Sequence, residues 1–433
     1  GTAVGYLAGS SSQGTNAVAV GYLAGATNQD YSAVAVGQVA GETSQGNLTI
    51  AVGYGAGRYN QGETATAVGR EAGTTSQGYS ATALGNLAGA LDQGSDATAV
   101  GREAGRTSQG DAAVAVGYVA GSSAQAANAV AVGRECGRVS QGSQSVAVGY
   151  LAGSSSQGTN AVAIGTIAGQ DSQNNNAVAV GINAGQIAQG VSSVAVGINS
   201  GRNAQGADAV SIGGNAGKTT QGANSTAIGV NSATNSQGVS CVAIGDGAGY
   251  NSQSNGGVAI GIRPGYNSQG VDSVAIGYQA GYGDQGTKSV AIGIQAAQNS
   301  QSDYSVAIGD SAGLASQGGT AVAIGHIAGY NTQGANSIAV GHTAGYGDQG
   351  AQSVAIGFYA ASGSQGNDAV AIGREAACSS QGGSSVAIGY VAGRADQGSS
   401  SVAIGNTTAR TNQGNNCVAV GYLAGFNDQG GVG

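Results

Sequence analysis

A chain of 433 residues with a net charge of −8, 13 Lys+Arg, 21 Asp+Glu, 84 Gly and neither Trp nor Met has too little bulk for a large globular core and too little charge for a typical disordered chain. Lysine occurs only at Lys218 and Lys288 and no basic run exists, so a nucleic-acid groove or an anionic-membrane patch has no electrostatic basis. No stretch of 18 apolar residues is present, so no segment reads as a membrane-spanning helix, and neither nucleic acid nor membrane insertion is expected.

The chain divides into 27 ungapped repeats of 16 residues plus one residue. Position 5 of each repeat is always Gly, as at Gly5, Gly21, Gly197, Gly213 and Gly421. Position 13 is always Gln, as at Gln13, Gln29, Gln45, Gln205 and Gln429. Position 3 is Ala in 26 repeats (Ser211 is the exception), position 4 is Val, Ile or Leu, and position 2 is Val, Ile or Thr. Gly fills positions 9 and 14 in 22 repeats each, so these glycines mark places in a structure and are not flexible filler. A short unbroken period points to one quasi-one-dimensional array, and residues 1–433 are read as a single uninterrupted repeat domain. Both ends fall in mid-repeat, at Gly1-Thr-Ala-Val and at Gln429-Gly-Gly-Val-Gly433, so the chain is expected to be a piece of something longer.

In chain order within a repeat, positions 1 to 5 alternate small and branched residues and predict a strand. Positions 2 and 4 share one face, expected inside, and positions 1 and 3 share the other, expected outside. A helix is excluded by recurring Gly, each costing about 1 kcal/mol relative to Ala in a helix interior. Two further short segments, around positions 8 and 13, complete an all-β parallel β-solenoid, one 16-residue repeat per coil and 27 coils stacked in register. At a strand spacing of about 4.8 Å such an array would run to about 130 Å.

In-register stacking turns like residues into ladders. The glutamines from Gln13 to Gln429 are expected to form an amide ladder, each side chain donating to the carbonyl of the next; a ligand-binding stripe is the functional alternative. So thin a coil is weakly supported alone, and alanines on its outer face predict that another chain packs there.

No catalytic constellation, cofactor motif or metal set emerges, and the chain is read as a non-enzyme with no cofactor. His326 and His342 share position 6 of adjacent repeats, but two imidazoles alone make a weak metal site. Arg70-Glu71, Arg102-Glu103, Arg134-Glu135 and Arg374-Glu375 are adjacent pairs, expected to point apart as strand neighbours do and to meet another chain. Cys136, Cys241, Cys378 and Cys417 lie too far apart in the stack for disulfides. Tyrosines at position 10, Tyr250, Tyr266, Tyr282, Tyr330 and Tyr346, form an amphipathic column suited to adhesive recognition.

The segment Ser273-Val-Ala-Ile-Gly-Tyr-Gln-Ala-Gly281, with copies such as Ser385-Val-Ala-Ile-Gly389, resembles the head repeat of YadA-like trimeric autotransporter adhesins; similar arrays occur in phage and large-virus fibre proteins. The resemblance runs the length of the chain and implies a left-handed β-roll, a homotrimer about a common axis, and display at a cell or virion surface outside the cell. The Gln-Gly pair at positions 13 and 14 departs from the family's core. Together these readings predict the structural shaft or head of a surface fibre that displays an adhesive face to a receptor not specified by the sequence. The alternatives are a self-assembling extracellular filament or matrix protein stacking end to end, whose open strand edges act as templates, and ice or crystal binding, which the mixed residues at positions 10 to 12 disfavour.

Overall fold

The computed structural model describes residues 1–430. They form an all-β parallel solenoid in which one 16-residue repeat makes one coil. No helix occurs among the described residues, and none is long and apolar enough to cross a membrane. Two compact units, Gly1–Thr220 and Gln221–Gly433, use the same coil with one difference.

In the first unit each coil has a strand at positions 2–4, such as Val34–Val36, a turn through positions 5–9, and a second strand at positions 11–13, such as Thr43–Gln45. Both strands stack in parallel register on the next coil, with Val34 on Ile50, Ala35 on Ala51 and Gln45 on Gln61. The second unit keeps the first strand, as in Val274–Ile276, but shortens the second to positions 12–13, as in Ser268–Gln269. In some of its coils only a bridge between glutamines remains, such as Gln397 to Gln413.

Residue choice follows the shortening only in part, since Asp171 and Asn203 at position 11 still open three-residue strands in the first unit and Thr411 in the second lies outside any strand. Position 11 of the first unit includes Thr27, Thr43, Thr75 and Thr107, whereas the second unit places Asn251, Asn267, Asn331, Gly283, Gly347 and Gly363 there. β-Branched residues suit a pleated strand, and Asn and Gly are depleted from strands. Position 12 is left-handed in every coil from Ser12 to Ala204; in the second unit it is so only at Asp396 and Asn412.

The two faces of the first strand are the reverse of the sequence expectation. Ala19 and Ala35 at position 3, Ala17 and Ala33 at position 1, and Ala24 and Ala40 at position 8 line the interior almost fully buried. The branched residues of position 4 point outward, with Val20 at 36%, Leu84 at 46%, Ile164 at 40% and Ile324 at 38% exposure. Alternation separates two faces without saying which lies inside; here the thickness of the coil decides. A Cβ placed on Gly57 would stand 2.8 Å from Gln61 Oε1 and 3.2 Å from the Ala51 Cβ. An interior one methyl group deep beside a layer of amides has no volume for Val or Ile, and a densely packed core does not expand to make it. The expectation that outward alanines receive another chain falls with the reversal: the outward face is branched and apolar.

Candidate functional site

The glutamine column is the most regular side-chain array. In the first unit Gln29, Gln45 and Gln205 are buried to 3% exposure or less. Every glutamine from Gln13 to Gln205 donates its Nε2 to the position-2 carbonyl of its own coil, tying the second strand to the first across the interior. The same bond recurs in the second unit from Gln237 to Gln413. Amide-to-amide bonds run in blocks. Gln13 donates to Gln29 at 3.2 Å, and a longer series links Gln61, Gln77, Gln93, Gln109, Gln125 and Gln141 at 3.1 Å per step. The Oε1 of Gln45 is buried without a partner. In the second unit Gln429 accepts from Gln413 at 3.4 Å. Alanine, serine and threonine complete the interior; the hydroxyls of Thr49 and Ser145 at position 1 bond to the carbonyls of Gly46 and Gly142 at 2.8 and 2.6 Å.

The glycines of position 5 carry the turn that follows the first strand. Gly5, Gly21, Gly197, Gly213 and Gly421 have φ of +134°, +137°, +128°, +127° and +123°, a region that L side chains rarely occupy. The next coil closes the space as well: a Cβ on Gly197 would lie 2.7 Å from the carbonyl oxygen of Gly213.

Position 7 is left-handed although it is rarely Gly, as at Glu71, Glu103, Glu135 and Glu375 with φ of 54° to 58°. This bend corrects the expectation for the Arg-Glu pairs. Because positions 6 and 7 sit in a turn and not in a strand, their side chains converge, and each Arg pairs with its own neighbour. Arg70 meets Glu71 at 3.4 Å, Arg102 meets Glu103 at 3.2 Å, Arg134 meets Glu135 at 3.2 Å and Arg374 meets Glu375 at 3.3 Å. Arg106, Arg138 and Arg394 add second contacts to the same carboxylates.

The tyrosines of position 10 stack along the second unit. Tyr250 and Tyr266 have ring centroids 4.8 Å apart and nearly parallel at 4°, Tyr266 and Tyr282 are 5.0 Å apart at 7°, and Tyr330 and Tyr346 are 5.0 Å apart at 17°. Burial between its neighbours raises the Tyr266 phenol above its ordinary pKa, and the adjacent phenols of Tyr250 and Tyr282 reinforce the shift. Tyr266 has a ring against each face, and each of the other four has a ring against one face.

His326 and His342 lie with ring centroids 4.9 Å apart and tilted by 32°, and His326 Nε2 stands 4.0 Å from the Asp310 carboxylate, which also occupies position 6. The sequence reading overlooked that aspartate. Even so, no group of three or more His, Cys, Asp or Glu side chains suited to a metal ion is present among the described residues. The four cysteines are free; burial pushes the Cys136 thiol up to about 12. An open groove of about 400 Å³ lies among Phe358, Tyr359, Glu375, Cys378 and Arg394, without an assembled nucleophile and base.

One recurring device escaped the sequence reading. In position 15, Asn47, Asp111, Asn175, Asn255, Asp303, Asn367 and Asn415 each accept, through Oδ1, a bond from the backbone N–H of position 15 in the preceding coil. The sequence carried little signal for it, because Asn or Asp fills only 7 of the 27 residues at position 15. Comparison with protein-family models finds no match to this chain, and none is found among curated proteins.

Proposed function

We propose that the chain is a non-catalytic structural element of an extracellular or virion-surface fibre, assembled as a homotrimer, with its turn surfaces displayed for adhesive contact. The observation that carries the reading is the outward column of β-branched side chains at position 4, repeated coil after coil in each unit, as at Val20, Val132 and Ile164 and again at Ile244, Ile308 and Ile356, all 36% to 40% exposed. Position 2 adds half-buried Val or Thr beside it in most coils, as at Val34 and Val274. A monomer's largest apolar patch is typically about 300–600 Å², and a contiguous stripe beyond that marks an interaction surface.

A second copy of the same chain fits this stripe because its own stripe has the same period and the same chemistry, so the apolar faces register coil against coil. Three copies around an axis cover all three stripes, and this arrangement is the one implied by the resemblance of Ser273-Val-Ala-Ile-Gly277 and its copies. Placement outside a cell or particle rests on the same resemblance.

The test is cryo-electron microscopy of the purified chain, scoring the symmetry of the cross-section. Threefold averages with the first-strand faces toward the axis are expected. Single-chain particles with that face open to solvent would reject the assembly.

A further inference from the structure

The position-10 tyrosines of the second unit have a chemistry that fibre formation does not require. Backbone bonds from Asn251 N–H to the Tyr266 carbonyl at 3.0 Å, and from Asn267 N–H to the Tyr282 carbonyl at 3.1 Å, fix the coils in register. Phenol rings are thereby held face to face at 4.8 and 5.0 Å, with interplanar angles of only 4° and 7°. The phenol rings are thus neighbours without any search. These tyrosines are half-buried, not sealed, so a diffusible oxidant reaches their edges.

Composition points the same way. The chain has no Trp and no Met, and the nearest cysteine to this column in sequence, Cys241, is buried in the coil interior with burial raising its pKa. A one-electron oxidation in this region therefore ends on tyrosine.

We propose that Tyr250, Tyr266 and Tyr282 are a site of oxidative cross-linking, in which hydrogen peroxide and a haem peroxidase couple neighbouring tyrosines into dityrosine. Each phenol gives up one electron and its O–H proton, and the two phenoxyl radicals join through a bond between their Cε carbons. Each joined carbon then loses its hydrogen as the ring returns to a phenol. In net terms two Cε–H bonds break, one C–C bond forms, and the two electrons and two protons reduce one peroxide to two waters. Each bond staples one coil covalently to the next, so that opening the stack in this region requires breaking a covalent link. Tyr330 and Tyr346, at 5.0 Å, form a second such pair.

The experiment treats the intact chain with horseradish peroxidase and hydrogen peroxide, follows dityrosine fluorescence, and weighs the tryptic segment Thr219–Lys288. That segment stays whole because Arg263 precedes Pro264. Loss of two hydrogens per bond within it is expected, together with fluorescence. The Tyr266→Phe variant keeps the stacked ring but breaks both pairings, and the segment should then keep its full hydrogen count, whereas Tyr278→Phe, at position 6 of the same segment, should leave coupling unchanged. Circular dichroism verifies that both variants are folded. Coupling that persists in Tyr266→Phe, that involves the unstacked Tyr79 as readily, or that gives only covalently joined chains with an unmodified segment would overturn the proposal.

Discussion

Gly105 and Gln109 face each other across the interior of their coil with no room for a side chain between them: a Cβ on Gly105 would stand 2.5 Å from Gln109 Oε1. At every position-9 glycine from Gly9 to Gly201 the nearest atom of its glutamine side chain is closer than 3.0 Å to the added carbon, whereas from Gly249 to Gly393 in the second unit the clearance is 3.0 Å or more. All five alanines that replace this glycine, Ala233, Ala297, Ala361, Ala377 and Ala409, lie in the second unit, with φ of 45° to 48°.

Gly105→Ala is therefore expected to destabilise its coils more than Gly313→Ala. Both variants meet the cost of a left-handed alanine, about 1–2 kcal/mol, but only Gly105→Ala also displaces a buried amide. Hydrogen exchange over the flanking coils measures the difference. Equal protection in the two variants would contradict the account.

Gln109 donates to Thr98 O at 2.9 Å, to Ala113 O at 3.1 Å and to Gln125 Oε1 at 3.1 Å. Gln109→Ala takes the donor from Gln125 Oε1 in a buried layer, at a cost of about 1–3 kcal/mol for a group left unsatisfied, while Ala113 O keeps the Thr98 N–H at 2.8 Å. It should lower the local unfolding free energy and release the amide protons of both adjacent coils to exchange. Retained protection would show that the column is ornamental to stability.

Gly197→Val combines a φ of +128° with a Cβ 2.7 Å from a backbone carbonyl. The carbonyl belongs to the stacked coil and has nowhere to retreat, so the expected outcome is loss of the stack around residues 181–213, read as local protease sensitivity. Resistance equal to that of the parent chain would contradict the turn assignment.

Much of this was legible in the sequence, and the failures have identifiable causes. The invariant Gly5 and Gln13 series announced the coil, because only a backbone in register gives each residue the same neighbours in every repeat. The interior and exterior faces of Ala19 and Val20 were not legible, since alternation is symmetric and the depth of the interior is set by Gly9 and Gln13 together. The pairing of Arg134 with Glu135 was hidden for another reason: it depends on a left-handed φ of 55° at Glu135, which a glutamate does not advertise. The tyrosine column could be read from spacing, but the near-parallel stacking that puts a ring on each face of Tyr266 could not.

Cys136 lies fully buried among the alanines, and its pKa is pushed up to about 12 by burial. Because the thiolate is the reactive form, Cys136 should resist alkylation at mildly alkaline pH while half-buried Cys378 reacts. A thiol whose pKa is raised by folding supports the fold below its unfolded value, and that support is lost as pH climbs from about 9 toward about 12. Mass spectrometry of the alkylated chain, native and unfolded, checks the first point; prompt labelling of Cys136 in the native chain would contradict its burial.

The central claim is that the outward Val and Ile stripe is an interface between copies of this chain, and sedimentation velocity tests it most directly. The account predicts that the parent chain sediments with the mass of three copies, and that Ile324→Lys with Ile356→Lys, which adds charge to the stripe without touching the alanine interior, shifts it toward a folded monomer. A parent chain that sediments as a folded monomer at all concentrations, with the double variant indistinguishable from it, would contradict the account.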